Sequence, residues 1–180
     1  IWLEQCGKSV NAPISHAAGR LFDSYAMLLG LSPRTIEFEA QPAVNLEAEA
    51  AKYSAGPGCA AVPYSCVERD GMFFIDWSPA FREINLADAR HRTAEFAYSF
   101  HLSVVEASVR MIEFGLSRCA ARGVVLSGGC FVNRFLKTLL PSRLGERGLN
   151  VFMNMVLSCG DAGVSAGQAL SSAARLVSDR

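Results

Sequence analysis

Between Gly123 and Arg134 the chain reads GVVLSGGCFVNR, and few folds can house that order of residues. Val124, Val125 and Leu126 form a short apolar run bounded by glycine, as a strand covered on both faces of an α/β sheet reads. Gly128 and Gly129 follow. From Phe131 to Leu140 apolar residues then recur at helical spacing: Phe131, Phe135, Leu136, Leu139 and Leu140. Strand, double-glycine turn and helix in that order make room for a small anion or sugar, because glycine lets a ligand approach the backbone and a helix start offers free N–H groups. The same turn also occurs in αβ units for steric reasons alone, so the stretch needs support from elsewhere.

The rest of the chain sets the class. Its 180 residues, 51% of them hydrophobic, are enough for one compact domain or one lobe of a larger enzyme. Seventeen basic and seventeen acidic side chains cancel, and without a basic run nucleic acid is not an expected partner. No apolar run reaches the roughly 20 residues that span a bilayer. The opening IWLEQCGKSV has neither the charged flank nor the length of a signal peptide, so the cytoplasm is the expected compartment. The six cysteines form no C-x-x-C pair, which predicts reduced and mostly buried thiols.

In chain order, Pro13 ends an N-terminal turn, and Ser15 or His16 is placed to cap a helix carrying Leu21, Phe22, Tyr25, Leu28 and Leu29 up to Gly30. Arg20 and Asp23 on that helix read as a solvated face with a surface ion pair. A helix over Pro42 to Tyr53 follows, with Glu39, Glu47 and Glu49 read as surface charge near its start, and Ser54 to Pro57 breaks it. Arg69-Asp70-Gly71 between Tyr64–Glu68 and Met72–Trp77 predicts a β-hairpin. A linker leads to the longest helix, about Arg92 to Arg118, whose two adjacent apolar stripes predict cover on more than one side. His101, on the second stripe, reads as a core histidine with one hydrogen bond. Pro141 and Gly145 to Gly148 predict a turn, and Leu149 to Met153 a strand parallel to the first. Ser158-Cys159-Gly160-Asp161 opens a last, small-sided helix, where Asp161 is either a helix cap or a carboxylate set beside a metal and phosphate. Spacing does not choose between them.

Five segments in order resemble one family. NAPISHAAGRLFDSYAMLLGL, FEAQPAVNLEAEA, AYSFHLSVVEA, VVLSGGCFVNRFL and CGDAGVSAGQA are similar to segments of the hydrogenase maturation carbamoyltransferases, the HypF family, in the later part of their Kae1-like domain. The resemblance runs from about Leu3 to Leu170. It implies the second lobe of an actin-like, sugar-kinase-like ATPase fold, here an α/β unit rich in helix with a small sheet and a hairpin, residues 1–180 forming one domain without the first lobe. It also implies that Gly128 and Gly129 lie against ATP, that Asn133 reaches the adenosine, that Gly19, Arg20 and Asp23 line the same cleft, and that Asp161 ligates a divalent metal shared with the first lobe. The reaction implied takes ATP and carbamoyl phosphate to a carbamoyl adenylate and passes the carbamoyl group to the C-terminal cysteine of a HypE-type acceptor. The chain alone is expected to be inactive. It departs from the family pattern at His16 and Ala17, at Ala40 and Pro42, and at Gly160 and Ala162. A tRNA threonylcarbamoyl transferase-like lobe and a non-catalytic nucleotide-binding module remain the alternative readings.

Overall fold

The computed structural model describes residues 1–54, 59 and 61–178. Its centre is the long helix α6, Thr93–Leu116, preceded by α1 (Trp2–Gly7), α2 (Ala18–Leu28), α3 (Gln41–Ala50), the strands β1 (Ser65–Arg69) and β2 (Met72–Asp76), and two short helices, α4 (Ser78–Arg82) and α5 (Leu86–His91). After it come β3 (Val124–Leu126), α7 (Arg134–Gly145), β4 (Val151–Met153) and α8 (Val164–Ser178). Both stripes of α6 find partners. Phe100 stacks on Tyr25 of α2 with ring centroids 4.1 Å apart, and Ala97, His101 and Val105 on the adjoining stripe are buried as well. Leu46 of α3 and Leu136, Leu140 and Leu144 of α7 close the same core. Removing a side chain as fully enclosed as Leu46 costs about 2–5 kcal/mol.

The hairpin forms with a two-residue Asp70-Gly71 loop, Arg69 opposite Met72 and Ser65 opposite Asp76. Both loop residues have positive φ, as the tight turn matching the strand twist requires. Arg118, just past α6, holds the hairpin by an ion pair to Glu68 and a hydrogen bond to the Gly71 carbonyl, with its guanidinium 4.2 Å from the centre of the Phe114 ring.

β3 and β4 pair in parallel, Val124 with Val151 and Leu126 with Met153. Their outer face is open: Val125 is 73% exposed and Phe152 59%, while Leu126 turns inward and is buried. The strand is therefore covered on one side only, contrary to the reading of its apolar run.

Other expectations change too. Neither Ser15 nor His16 caps α2, whose N-cap position is Ala17 with no side-chain bond; the Ser15 hydroxyl instead accepts from the Ala17 amide. The N-terminal turn contains α1, and the linker after Pro79 is largely helical. Pro141 lies inside α7 rather than in a turn, in a helix held to the core by its buried Leu136, Leu140 and Leu144. The helix ends at Gly145 and the expected turn through Gly148 follows, with the amides of Gly148 and Leu149 donating to the carbonyls of Gly145 and Leu144. Cys6, Cys66 and Cys119 are exposed, so the thiols are not mostly buried. α3 stops at Ala50, and the break read at Ser54 to Pro57 lies, from residue 55 on, outside the described residues.

Candidate functional site

The parallel pair determines where a site can form, because ligands in open α/β sheets gather at the carboxyl ends of the strands. β3 ends at Leu126 and β4 at Met153. Beyond them a cleft of about 300 Å³ is lined by Ser127, Gly128, Asn154, Ser158, Gly160 and Asp161, among others. Its two walls are tied together by the Gly128 amide, which donates to the Cys159 carbonyl at 2.7 Å. Gly128 adopts φ 110°, a conformation side chains strain to reach. A Cβ built on either Gly128 or Gly129 meets nothing within 4 Å, so neither glycine serves internal packing. At Gly163 the reason is different: a Cβ there would fall 2.3 Å from the Ser158 carbonyl oxygen.

After the glycines the chain makes one 3₁₀ turn, Gly129–Val132, and enters α7 at Arg134 rather than at Phe131. Asn133 is the N-cap. Its side-chain oxygen accepts from the amides of Phe135 and Leu136 at 3.0 and 3.2 Å, and its amide nitrogen lies 3.0 Å from Nε2 of His101. Glu47 faces the same helix start, accepting from the Arg134 backbone at 3.2 Å and from its Nε at 2.9 Å. It is no solvated surface charge, since its side chain is 15% exposed. A carboxylate at a helix N-terminus is also favoured by the helix dipole.

Asp161 opens the short 3₁₀ turn Asp161–Gly163 but is not its cap; Gly160 holds that position. The cap reading is thereby corrected. The Asp161 carboxylate is exposed and makes no hydrogen bond or ion pair with the described residues. Gly128 and Asp161 thus line one cleft, and Gly129 sits directly behind it, where a Cβ on the lining residue Gly160 would lie 3.6 Å from Gly129 Cα.

Residues of α2 are placed less uniformly. The Gly19 backbone hydrogen-bonds the Cys130 sulfur beside the glycine turn, while burial raises the Cys130 thiol above its ordinary range. Arg20 pairs with Asp23 at 2.7 Å, as a pair on one helix was expected to do. Asp23 is less solvated than that reading held, since its side chain is 19% exposed and Oδ1 is buried with no hydrogen-bond partner. Arg20 itself lines a separate groove of about 740 Å³ between α2, the hairpin and α6, shared with His16, Phe74 and Trp77. Asn133 has both ends of its amide engaged inside the chain.

Three features escaped the sequence reading: the Asn133–His101 contact, the Glu47–Arg134 pair and the Cys130–Gly19 contact. Asparagine directly before an apolar helical run is an N-cap signal, so the first was half visible. The other two join segments distant in sequence and leave no local trace. Among the described residues no group of three or more His, Cys, Asp or Glu is arranged to hold a metal ion, and no helix is long and apolar enough to cross a membrane.

A family model described as the carbamoyltransferase Kae1-like domain, second subdomain, matches residues 1–168. The chain is 36% identical over 168 residues to the carbamoyltransferase HypF homolog of Cupriavidus necator, covering 90% of this chain and 41% of that protein. It is 34% identical to the carbamoyltransferase HypF of Rhodobacter capsulatus, over 96% of this chain and 21% of the relative. Among solved structures, a full-length HypF in a phosphate- and nucleotide-bound form superposes with a TM-score of 0.78 at 28% identity, covering 93% of this chain and 21% of that one. The HypF of T. kodakarensis gives 0.76 at 27% identity, covering 98% of this chain and 22% of that one. The chain therefore spans between about a fifth and two fifths of the length of these proteins. With strand pair, glycine turn and hairpin in place, and the family model covering nearly all of it, the chain belongs to the HypF carbamoyltransferase family, as the second subdomain of the Kae1-like domain.

Proposed function

We propose that this chain forms one wall of an adenine-nucleotide site in a HypF-type carbamoyltransferase, which turns ATP and carbamoyl phosphate into carbamoyl adenylate and hands the carbamoyl group to the C-terminal cysteine of a HypE-type acceptor. The observation that carries this reading is the cleft at the carboxyl ends of β3 and β4, walled by Gly128 and followed at once by Gly129, two glycines whose Cβ positions are open space. A phosphate or ribose can approach backbone there as it cannot approach a side-chain-bearing turn. That a full-length relative was solved with phosphate and nucleotide bound supports the same reading.

In it, Gly128 and Gly129 shape the contact surface and Asn133 holds the start of α7 behind them. Gly19 supports the turn through Cys130, while Arg20 and Asp23, paired with each other on α2, stand outside this cleft, Arg20 in the separate groove. The contribution of the chain is positioning, and none of its six cysteines is assigned a catalytic role. A divalent metal, when bound, supplies charge neutralisation for the phosphates. Asp161 has the chemistry of one such ligand, an unpaired oxygen donor at the cleft, but one carboxylate is not a metal site. The shell is completed, in this proposal, by the first lobe of the whole protein.

Calorimetric titration with ATP tests the site. Gly129→Val is expected to keep the melting profile of the parent, since its Cβ meets no protein atom, and to weaken ATP binding at least tenfold. Equal binding by both proteins would remove the glycine turn from the site.

A further inference from the structure

His101 is fully buried in the middle of α6, yet it makes two polar contacts. Nδ1 lies 2.7 Å from the Ala97 carbonyl oxygen, one turn earlier in the same helix, and Nε2 lies 3.0 Å from Nδ2 of Asn133. Backbone groups at the two ends of this chain of contacts settle every proton in it. A carbonyl only accepts, so Nδ1 carries the hydrogen. At the other end the amides of Phe135 and Leu136 only donate, so the Asn133 oxygen points to them and its NH₂ group points to His101. Nε2 must then be the unprotonated acceptor. The imidazole is neutral, with its hydrogen on Nδ1.

The surroundings hold that state. Phe22 of α2, Phe100 of α6 and Phe135 of α7 face the ring, with centroids 5.4, 6.2 and 4.8 Å away. Glu47 of α3 favours the protonated form, but it is paired with Arg134, and burial outweighs it. An added proton on Nε2 would oppose the Asn133 NH₂ group. Turning the amide to meet it would place that NH₂ against the helix amides and undo the cap. Asn133 is also where the 3₁₀ turn that begins at Gly129 ends, its own amide donating to the Cys130 carbonyl at 3.1 Å.

We infer that His101 is a positioning residue which, through the side chain of Asn133, fixes where α7 begins and hence the shape of the glycine turn presented to the nucleotide. The last step rests on the nucleotide reading above; the relay through Asn133 does not.

Nitrogen-15 NMR of the 180-residue chain tests the relay without any substitution. The expected signature at pH 7 is a neutral His101 protonated on Nδ1; an imidazolium, or a hydrogen on Nε2, overturns the inference. His101→Leu removes the acceptor, and hydrogen exchange at Phe135 and Leu136 should quicken about tenfold while the α6 amides around Val105 hold their rates. His101→Gln, which offers a carbonyl oxygen to Asn133, should restore much of the protection. Unchanged exchange in His101→Leu overturns the relay. Where the parent binds ATP, His101→Leu should weaken binding several-fold and His101→Gln should recover it; equal affinity in all three would confine His101 to the fold. If the parent binds no ATP, the nucleotide reading fails, and the tautomer and exchange results alone decide whether His101 sets the start of α7.

Discussion

A buried neutral histidine leaves a mark on stability that its neighbours do not. Burial lowers the affinity of His101 for a proton in the folded chain, whereas the unfolded chain binds one near the ordinary imidazole value of about 6.5. Below that pH the unfolded state takes up more protons than the folded state, so stability falls as pH falls through about 6.5 and is unaffected by this group above it. We expect denaturant midpoints to drop between about pH 6.5 and 5.5 in the parent and to drop less in His101→Gln; parallel slopes in the two proteins would assign the effect to carboxylates instead. At the same scale, Asp161 and Asn133 show how a residue's type can mislead about its use. Both stand where an α/β unit turns from strand to helix, yet Asn133 caps and Asp161 does not, a difference decided by which backbone amides each can reach.

At the level of elements, the helices with strong apolar periodicity were legible in sequence, and so was the hairpin, because Asp70-Gly71 carries its own turn chemistry. Gly128 and Gly129 were legible for the same reason. What failed was the reading of ends and faces. Three apolar residues in a row, Val124 to Leu126, look alike whether one face is covered or two, and only the neighbours of β3 decide it. Pro141 predicts a turn because an interior proline removes one helix hydrogen bond and crowds the preceding turn, at about 3 kcal/mol. Burial of Leu136, Leu140 and Leu144 offsets that. The ion pairs from Arg143 to Glu106 and from Arg147 to Glu113 also bind the end of α7 and the turn after it to α6, although such exposed pairs are worth under about 1 kcal/mol each. Pro141→Ala should therefore stabilise the chain by about 1–3 kcal/mol, read as a higher urea midpoint at unchanged slope. A lower midpoint would mean that the proline ring packs in a way that alanine cannot replace.

The whole molecule combines one well-packed core with many exposed apolar side chains. The core of α2, α3, α6 and α7 is continuous, and Tyr25, Phe22 and Phe100 meet at its centre, so the chain should unfold in a single cooperative transition by circular dichroism. Val125 and Phe152 on the outer face of the β3–β4 pair, Val156 beyond it and Leu170 and Leu176 on α8 stand in water, exposed apolar side chains of the kind that favour association. Light scattering from the chain alone should rise with concentration and fall back when Val125 and Leu176 are both changed to lysine; scattering that ignores those changes would place the contact elsewhere. Asp161 brings an unpaired carboxylate to the cleft, but among the described residues no group of three or more His, Cys, Asp or Glu stands there to hold a metal, and a hard cation needs about six oxygens, of which water supplies the remainder weakly. Manganese titrated into the chain alone should bind no more tightly than to a lone surface carboxylate, and Asp161→Asn should leave that weak binding almost unchanged. In the full-length protein the same substitution should lower metal content, because the other ligands are then present and the lost one matters. Since Asp161 caps nothing, the melting temperature should not move in either setting. Tight manganese binding by the chain alone would show that it holds a complete site, and unchanged metal content in full-length Asp161→Asn would remove this carboxylate from the metal altogether.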